Sequence, residues 1–219
     1  MNNILKKVYK NIPNIVSILG VLPLVILFTD NGYLYLIPLI IYNNIMDDLD
    51  GILAIKLNAK SEFGARMDNV CDAVSHTIIV MFVGFHYGAI CGIIGLIAVA
   101  AILIRSVARL DPSHTNSGGS PTNELIRHTL FALLLAELFS FDPTWVLIIM
   151  FLSNTITMFV PYLMPYLIRS MTKSAMAILL VNVSLILAWL VPYTAPVIAA
   201  GFIFSYLYSI IKIRVNSKK

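Results

Sequence analysis

Two short stretches concentrate carboxylates where an apolar chain should have none. Met46-Asp47-Asp48-Leu49-Asp50-Gly51 closes one hydrophobic run, and Arg66-Met67-Asp68-Asn69-Val70-Cys71-Asp72 opens the next. In a helix, Asp47 and Asp50 are three apart and share a face, with Gly51 one turn from Asp47 on that face. Asp48 is rotated by about 100° from Asp47 and points elsewhere. Asp68 and Asp72 are four apart and share a face of the following helix. Helices joined by a short link are antiparallel neighbours, so the spacing predicts that four carboxylates converge. Their mutual repulsion demands cations. An all-oxygen donor set without His or Cys suits Mg²⁺, Mn²⁺ or Ca²⁺ rather than zinc. Magnesium prefers to share its shell with substrate phosphates, and Gly51 leaves room for a substrate to approach the backbone. Capping or snorkelling carboxylates at helix ends account for one or two aspartates, but not for four with matched spacing.

The elements that must position these groups are membrane spans. Of 219 residues, 59% are hydrophobic and 12% are charged, too few charges for the surface of a soluble domain of this length. The apolar residues come in runs near bilayer length. An all-α polytopic membrane protein follows, a single domain over 1–219. Eight spans are predicted at 15–29, 33–55, 68–87, 89–109, 124–141, 144–167, 175–191 and 195–213. The first and seventh are short and the sixth carries Pro161 and Pro165, which leaves six or seven spans as alternatives. Residues 1–12, with Ile4, Leu5, Val8 and Ile12 opposed to three lysines, predict an interfacial amphipathic helix. No small-residue cleavage site follows it, so no cleavable signal is expected.

All fifteen Lys and Arg lie in or flank alternate links or the termini, and the links near 30–32, 86–88, 142–143 and 192–193 have none. The positive-inside rule then places both termini and every basic link in the cytoplasm, which an even span count satisfies. The net charge of +4 suits anionic lipid and phosphate at the cytoplasmic headgroup level rather than nucleic acid. Cys71 and Cys91 lack metal-ligand spacing and read as packing residues. The one long polar link, 111–123, is either a flexible connection or a loop that covers a substrate.

Written out, Asp47-x-x-Asp50-Gly51-x-x-Ala54 followed by Gly64-x-x-x-Asp68-x-x-x-Asp72 resembles the signature of the CDP-alcohol phosphatidyltransferase family. That signature is D-x-x-D-G-x-x-A-R, about eight residues, then G-x-x-x-D-x-x-x-D. Seven of its eight fixed positions and every spacing agree, and Ile12-Pro13-Asn14 also resembles the family's entry to the first span. Ile55 stands where the family has Arg, and Lys56 follows it. The resemblance implies a six-helix catalytic core plus extra spans in the cytoplasmic (inner) membrane, with the active site facing the cytoplasm. It also implies a Mg²⁺ or Mn²⁺ pair on Asp47, Asp50, Asp68 and Asp72 that spans the diphosphate of a CDP-alcohol. Asp72 lies at the position of the general base, which takes the proton from the acceptor hydroxyl before CMP leaves. Asp50, Gly51, Ala54, Lys56, Gly64 and Asp68 are implied as the CDP-lipid side, and the family suggests a homodimer.

For the acceptor, Asp72-Ala73-Val74-Ser75-His76, the run Arg105–Asp111 and Gly119-Ser120-Pro121-Thr122 resemble the phosphatidylserine synthase branch. That branch uses CDP-diacylglycerol and L-serine. Serine brings a carboxylate that Arg109 or Arg105 can bind, and Ser120 and Thr122 join the expected acceptor side. Each arginine also reads as a positive-inside anchor at a helix end. Glycerol 3-phosphate, an inositol phosphate or an amino alcohol are alternative acceptors with the same chemistry. A cation or phosphate transporter is the reading from a different class, and it would need ionisable groups in mid-span. His76 reads as a satisfied buried histidine, Asn14 and Asn69 as polar members of the site wall, and Glu137 has no assigned role.

Overall fold

A computed structural model of the chain describes residues 3–110, 120–160 and 175–216. These residues are helical throughout, joined by short turns and one undescribed stretch on each side of α5–α6, and no strand occurs among them. The helices are α1 (Asn3–Val21), α2 (Leu36–Lys56), α3 (Glu62–His86), α4 (Ala89–Leu110), α5 (Thr122–Phe139), α6 (Thr144–Met158), α7 (Ala175–Leu190) and α8 (Ala195–Asn216). Short 3₁₀ segments at Leu22–Phe28, Gly32–Tyr35 and Pro192–Thr194 link them. The long link 111–123 lies outside the described residues as far as position 119, as does the sixth span's expected continuation beyond 160.

The N-terminus departs from expectation. In place of a separate interfacial helix over 1–12, α1 runs unbroken through Pro13, and the amphipathic and apolar segments form one rod. Its interior packs on both α2 and α3. Gly20 allows a close approach to α2, since a Cβ there would meet the Cβ of Met46 at 3.0 Å. That crossing brings Ser17 beside the aspartates of α2.

α3 starts six residues earlier than the expected span. Ser61 caps it, with extended backbone and a side-chain oxygen that accepts from the Gly64 N–H at 3.0 Å. The end of α2 is closed by Asn58 at φ 50°, with the Ala59 N–H bonded back to the Ala54 carbonyl at 3.0 Å. Between them, the left-handed cap and the serine cap turn the chain from α2 into α3 and bring the two acidic stretches together.

Four segments are long and apolar enough to cross a membrane: Val8–Phe28, Glu62–His86, Ala89–Leu110 and Pro192–Ile211, while Thr144–Met158 and Ala175–Leu190 are apolar but shorter. Two others are helical but fail on charge or length for a physical reason. α2 carries the site's aspartates, and α5 is the central helix, with Leu125, Ile126, Leu130, Phe131 and Leu133 all buried. A helix enclosed on all sides tolerates Glu124 and Arg127, because protein rather than lipid surrounds them. The outer surface is apolar instead, with Val25, Phe28, Ile93, Val107, Ile149 and Phe204 exposed. This is a membrane protein.

Candidate active site

Asp47 and Asp50 project from α2 and Asp68 from α3, and their ligating oxygens lie within 4.8 Å of one another. Asp50 is buried and accepts a hydrogen bond from Ser17 of α1. Asp47 accepts from Asn123 Nδ2 at 2.8 Å, which ties the start of α5 to the cluster. Asp72 is one turn further along α3. It lies against Asp47, with Asp68 and Arg109 as its other charged neighbours, and stands outside the tight triplet. The expected four-way convergence is therefore three carboxylates at one point and a fourth beside it.

Two cavities adjoin this cluster and share Asp47, Asp48 and Asp68. The first, of about 480 Å³, is lined by Asn14, Ser17, Asp50, Gly51, Ala54, Ile55, Lys60, Gly64 and Asp68. A Cβ built at Gly51 would meet nothing within 4 Å, so its backbone is open to a ligand. Lys56, expected to supply the charge missing at Ile55, does not line this cavity; Lys60 does. The turn at Asn58 reverses the chain after α2 and carries position 60 back over the cavity. Spacing within a helix could not have shown that.

The second cavity, of about 340 Å³, is lined by Asp47, Asp48, Asp68, Asp72, Arg109, Pro121, Asn123, Glu124 and Arg127, with Ile178 and Val181 of α7. Arg109 takes its expected place. Arg105 does not: it donates to the Met158 carbonyl at 3.2 Å and ties α4 to the end of α6. Ser120 and Thr122 do not line this cavity either. The Ser120 N–H bonds to the Thr157 carbonyl at 2.9 Å, and the Thr122 hydroxyl pairs with His76 Nδ1 at 2.9 Å. Both side chains are buried, and Pro121 and Asn123 face the cavity in their stead. His76 is thus a buried histidine with a partner. Asn69 donates to the Ser106 carbonyl and hydroxyl at 3.0 and 2.9 Å, which binds α3 to α4.

Counting Asp50, six carboxylates gather here against the guanidiniums of Arg109 and Arg127. That excess of negative charge, on an all-oxygen donor set, fits divalent cations of the magnesium type, with Asp47, Asp50 and Asp68 to hold them. The two adjoining cavities then leave room for a phosphate-bearing donor and for an acceptor. A family model for CDP-alcohol phosphatidyltransferase matches residues 10–159, which hold the triplet, Asp72 and most of both cavity walls. The chain belongs to this family. No curated protein matches it.

As a CDP-alcohol phosphatidyltransferase, the protein is a membrane enzyme that uses divalent metal to transfer a phosphatidyl group from a CDP-alcohol to an alcohol acceptor. Its site includes residues that sequence reasoning missed. Arg127 Nε donates to Asn44 Oδ1 at 3.0 Å, and its terminal nitrogen reaches Glu124 at 3.2 Å. Asn44 Nδ2 donates to Asn182 Oδ1 at 2.8 Å and to Asp48 at 3.3 Å, and Asn182 Nδ2 donates to Asp48 at 2.7 Å. Signals for these residues exist in the sequence: an asparagine within apolar α7, Asn43-Asn44 inside a span, and a Glu-x-x-Arg pair on a buried helix.

Proposed function

We propose that the chain transfers the phosphatidyl group of CDP-diacylglycerol to L-serine, giving phosphatidylserine and CMP. The observation that carries this reading is the second cavity, which sets guanidiniums and carboxylates together beside Asp72. A zwitterionic acceptor needs both signs of charge, and serine is a small one.

In this reading Arg109 and Arg127 hold the serine carboxylate and turn the hydroxyl toward Asp72. Asp72 takes the hydroxyl proton onto a carboxylate oxygen. The serine oxygen then forms a bond to the phosphorus that bears the diacylglycerol, and the bond from that phosphorus to the CMP oxygen breaks. Asp47, Asp50 and Asp68 would hold magnesium or manganese, which would supply positive charge to neutralise the diphosphate and the departing CMP. Gly51, Ala54 and Gly64 let the nucleotide lie against the backbone, Lys60 faces its phosphates, and Asn14 and Ser17 close the wall from α1. Holding both reactants in one geometry supplies much of the rate, because a carboxylate is a weak base for an alcohol.

The same reading puts the enzyme in the cytoplasmic membrane with eight spans, both termini and the aspartates on the cytoplasmic side, and a homodimeric assembly. Its support is the segregation of all fifteen basic residues to alternate links and termini. Two guanidiniums also suit an acceptor phosphate, so glycerol 3-phosphate is the second reading. The test is CMP release from CDP-diacylglycerol by the purified enzyme with each acceptor in turn. Serine-dependent release with a phosphatidylserine product supports the proposal, and release with glycerol 3-phosphate but not serine overturns it.

A further inference from the structure

The carboxylates around the second cavity are not equivalent. Asp47 and Asp68 belong to the tight triplet, Asp72 adjoins it, and Glu124 is neutralised by Arg127. Asp48 is different. It lines both cavities, yet it stands outside the triplet. Its hydrogen bonds come from two neutral amides, Asn182 at 2.7 Å and Asn44 at 3.3 Å, while the nearby Arg127 directs its own bonds to Asn44 and Glu124.

Its holders are themselves fixed. Asn44 and Asn182 are both buried and bonded to each other at 2.8 Å, and Asn182 also donates to the Ile178 carbonyl of its own helix. Arg127 anchors the other end of Asn44, so α2, α5 and α7 meet in one ring of side chains. An amide pair that costs desolvation inside an apolar helix bundle is a means of fixing one carboxylate's direction. A carboxylate fixed by amides rather than by a cation, on the wall of an acceptor cavity, is set up to receive a cation from the substrate.

We infer that Asp48, held by Asn44 and Asn182, is the specificity residue that binds the ammonium group of an amino-acid acceptor, with Asn182 as its positioning residue. The inference rests on the reading of the cavity as the acceptor side. It divides the acceptor between two anchors, with the carboxylate on the arginines and the ammonium on Asp48. It also gives α7 a role in the reaction, since α7 otherwise contributes only Ile178 and Val181 to the wall.

The experiment uses the full-length enzyme with CDP-diacylglycerol and divalent metal. It reads the KM for L-serine, the KM for CDP-diacylglycerol, and the inhibition constant of 3-hydroxypropionate, which is serine without its ammonium. Asp48→Asn should raise the KM for serine about tenfold or more, from loss of one charge-assisted contact, and leave the 3-hydroxypropionate constant within about twofold. Asn182→Ala keeps the carboxylate but frees it, and should raise the serine KM by a smaller factor. It also carries the test should Asp48→Asn fail to fold. Adding Asn182→Asp to Asp48→Asn returns a carboxylate to the ring and should recover part of the serine affinity. An unchanged serine KM, or serine and 3-hydroxypropionate constants that rise together, overturns the role of Asp48 and leaves the serine reading intact. Wild-type enzyme that ignores serine and consumes glycerol 3-phosphate overturns both.

Discussion

Arg109→Gln isolates the acceptor's carboxylate, and the structure explains why it is the cleaner of two possible probes. Arg127 lies on the same cavity, but it also neutralises Glu124, which is only 5% exposed. Removing Arg127 would leave that carboxylate buried and unpaired, at a cost of about 3 kcal/mol to the fold, and a loss of activity would then have two causes. Arg109 is exposed at the end of α4, where water can take its place beside the carboxylates of the cavity, so its loss spares the core. A charge-assisted hydrogen bond is worth about 1.5–3 kcal/mol, and exposure to solvent favours the middle of that range. About 2 kcal/mol corresponds to a roughly thirtyfold weaker serine affinity. The assay is CMP release at varied serine with saturating CDP-diacylglycerol, then the reverse. The KM for serine should rise roughly thirtyfold, while that for CDP-diacylglycerol moves by less than about threefold. If both constants rise together, Arg109 serves the nucleotide or the fold and the assignment of the second cavity is wrong.

Each of Asp47→Asn, Asp50→Asn, Asp68→Asn and Asp72→Asn should remove nearly all turnover, but only the first three should also weaken Mn²⁺ binding followed by electron paramagnetic resonance. Loss of Mn²⁺ affinity in Asp72→Asn equal to that in the other three would make Asp72 a ligand rather than the base. In a background lacking Cys71 and Cys91, single cysteines at positions 31 and 144 should react with a membrane-impermeant maleimide on intact cells, and one at position 60 should not. Labelling of position 60 from outside would invert the topology and remove the enzyme from cytoplasmic CDP-lipid.

How far the sequence carries depends on whether a feature is local. The aspartates were legible because their spacing of three and four puts them on helix faces, and because carboxylates in an apolar run are too costly to persist without a partner. The helical class followed equally from composition, and the Ser61 cap was there to be read before Glu62. Features that need the chain to double back were not legible. Lys60 reaches the first cavity only through the left-handed turn at Asn58, and Thr122 turns inward because His76 offers its hydroxyl a partner. Glu124 and Arg127 stand inside the span expected at 124–141, and the helix tolerates them because protein surrounds it.

The three aspartates of the first acidic stretch show how one turn of helix divides the labour of a reaction. Asp47 and Asp50 share a face and meet Asp68 in the triplet, where a divalent cation fits. Asp48, one residue along, is carried by the helical rotation away from that point and toward α7, where two amides take hold of it. Had Asp48 shared the triplet's face, a fourth carboxylate would have added repulsion there. In the proposed reading, that rotation gives α2 one face for the donor's phosphates and another for the acceptor, and Asp72 of α3 lines the acceptor cavity beside the triplet. On that proposal a substrate hydroxyl brought to Asp72 from the second cavity meets a phosphorus held at the triplet, which is the arrangement that direct transfer between two bound molecules requires.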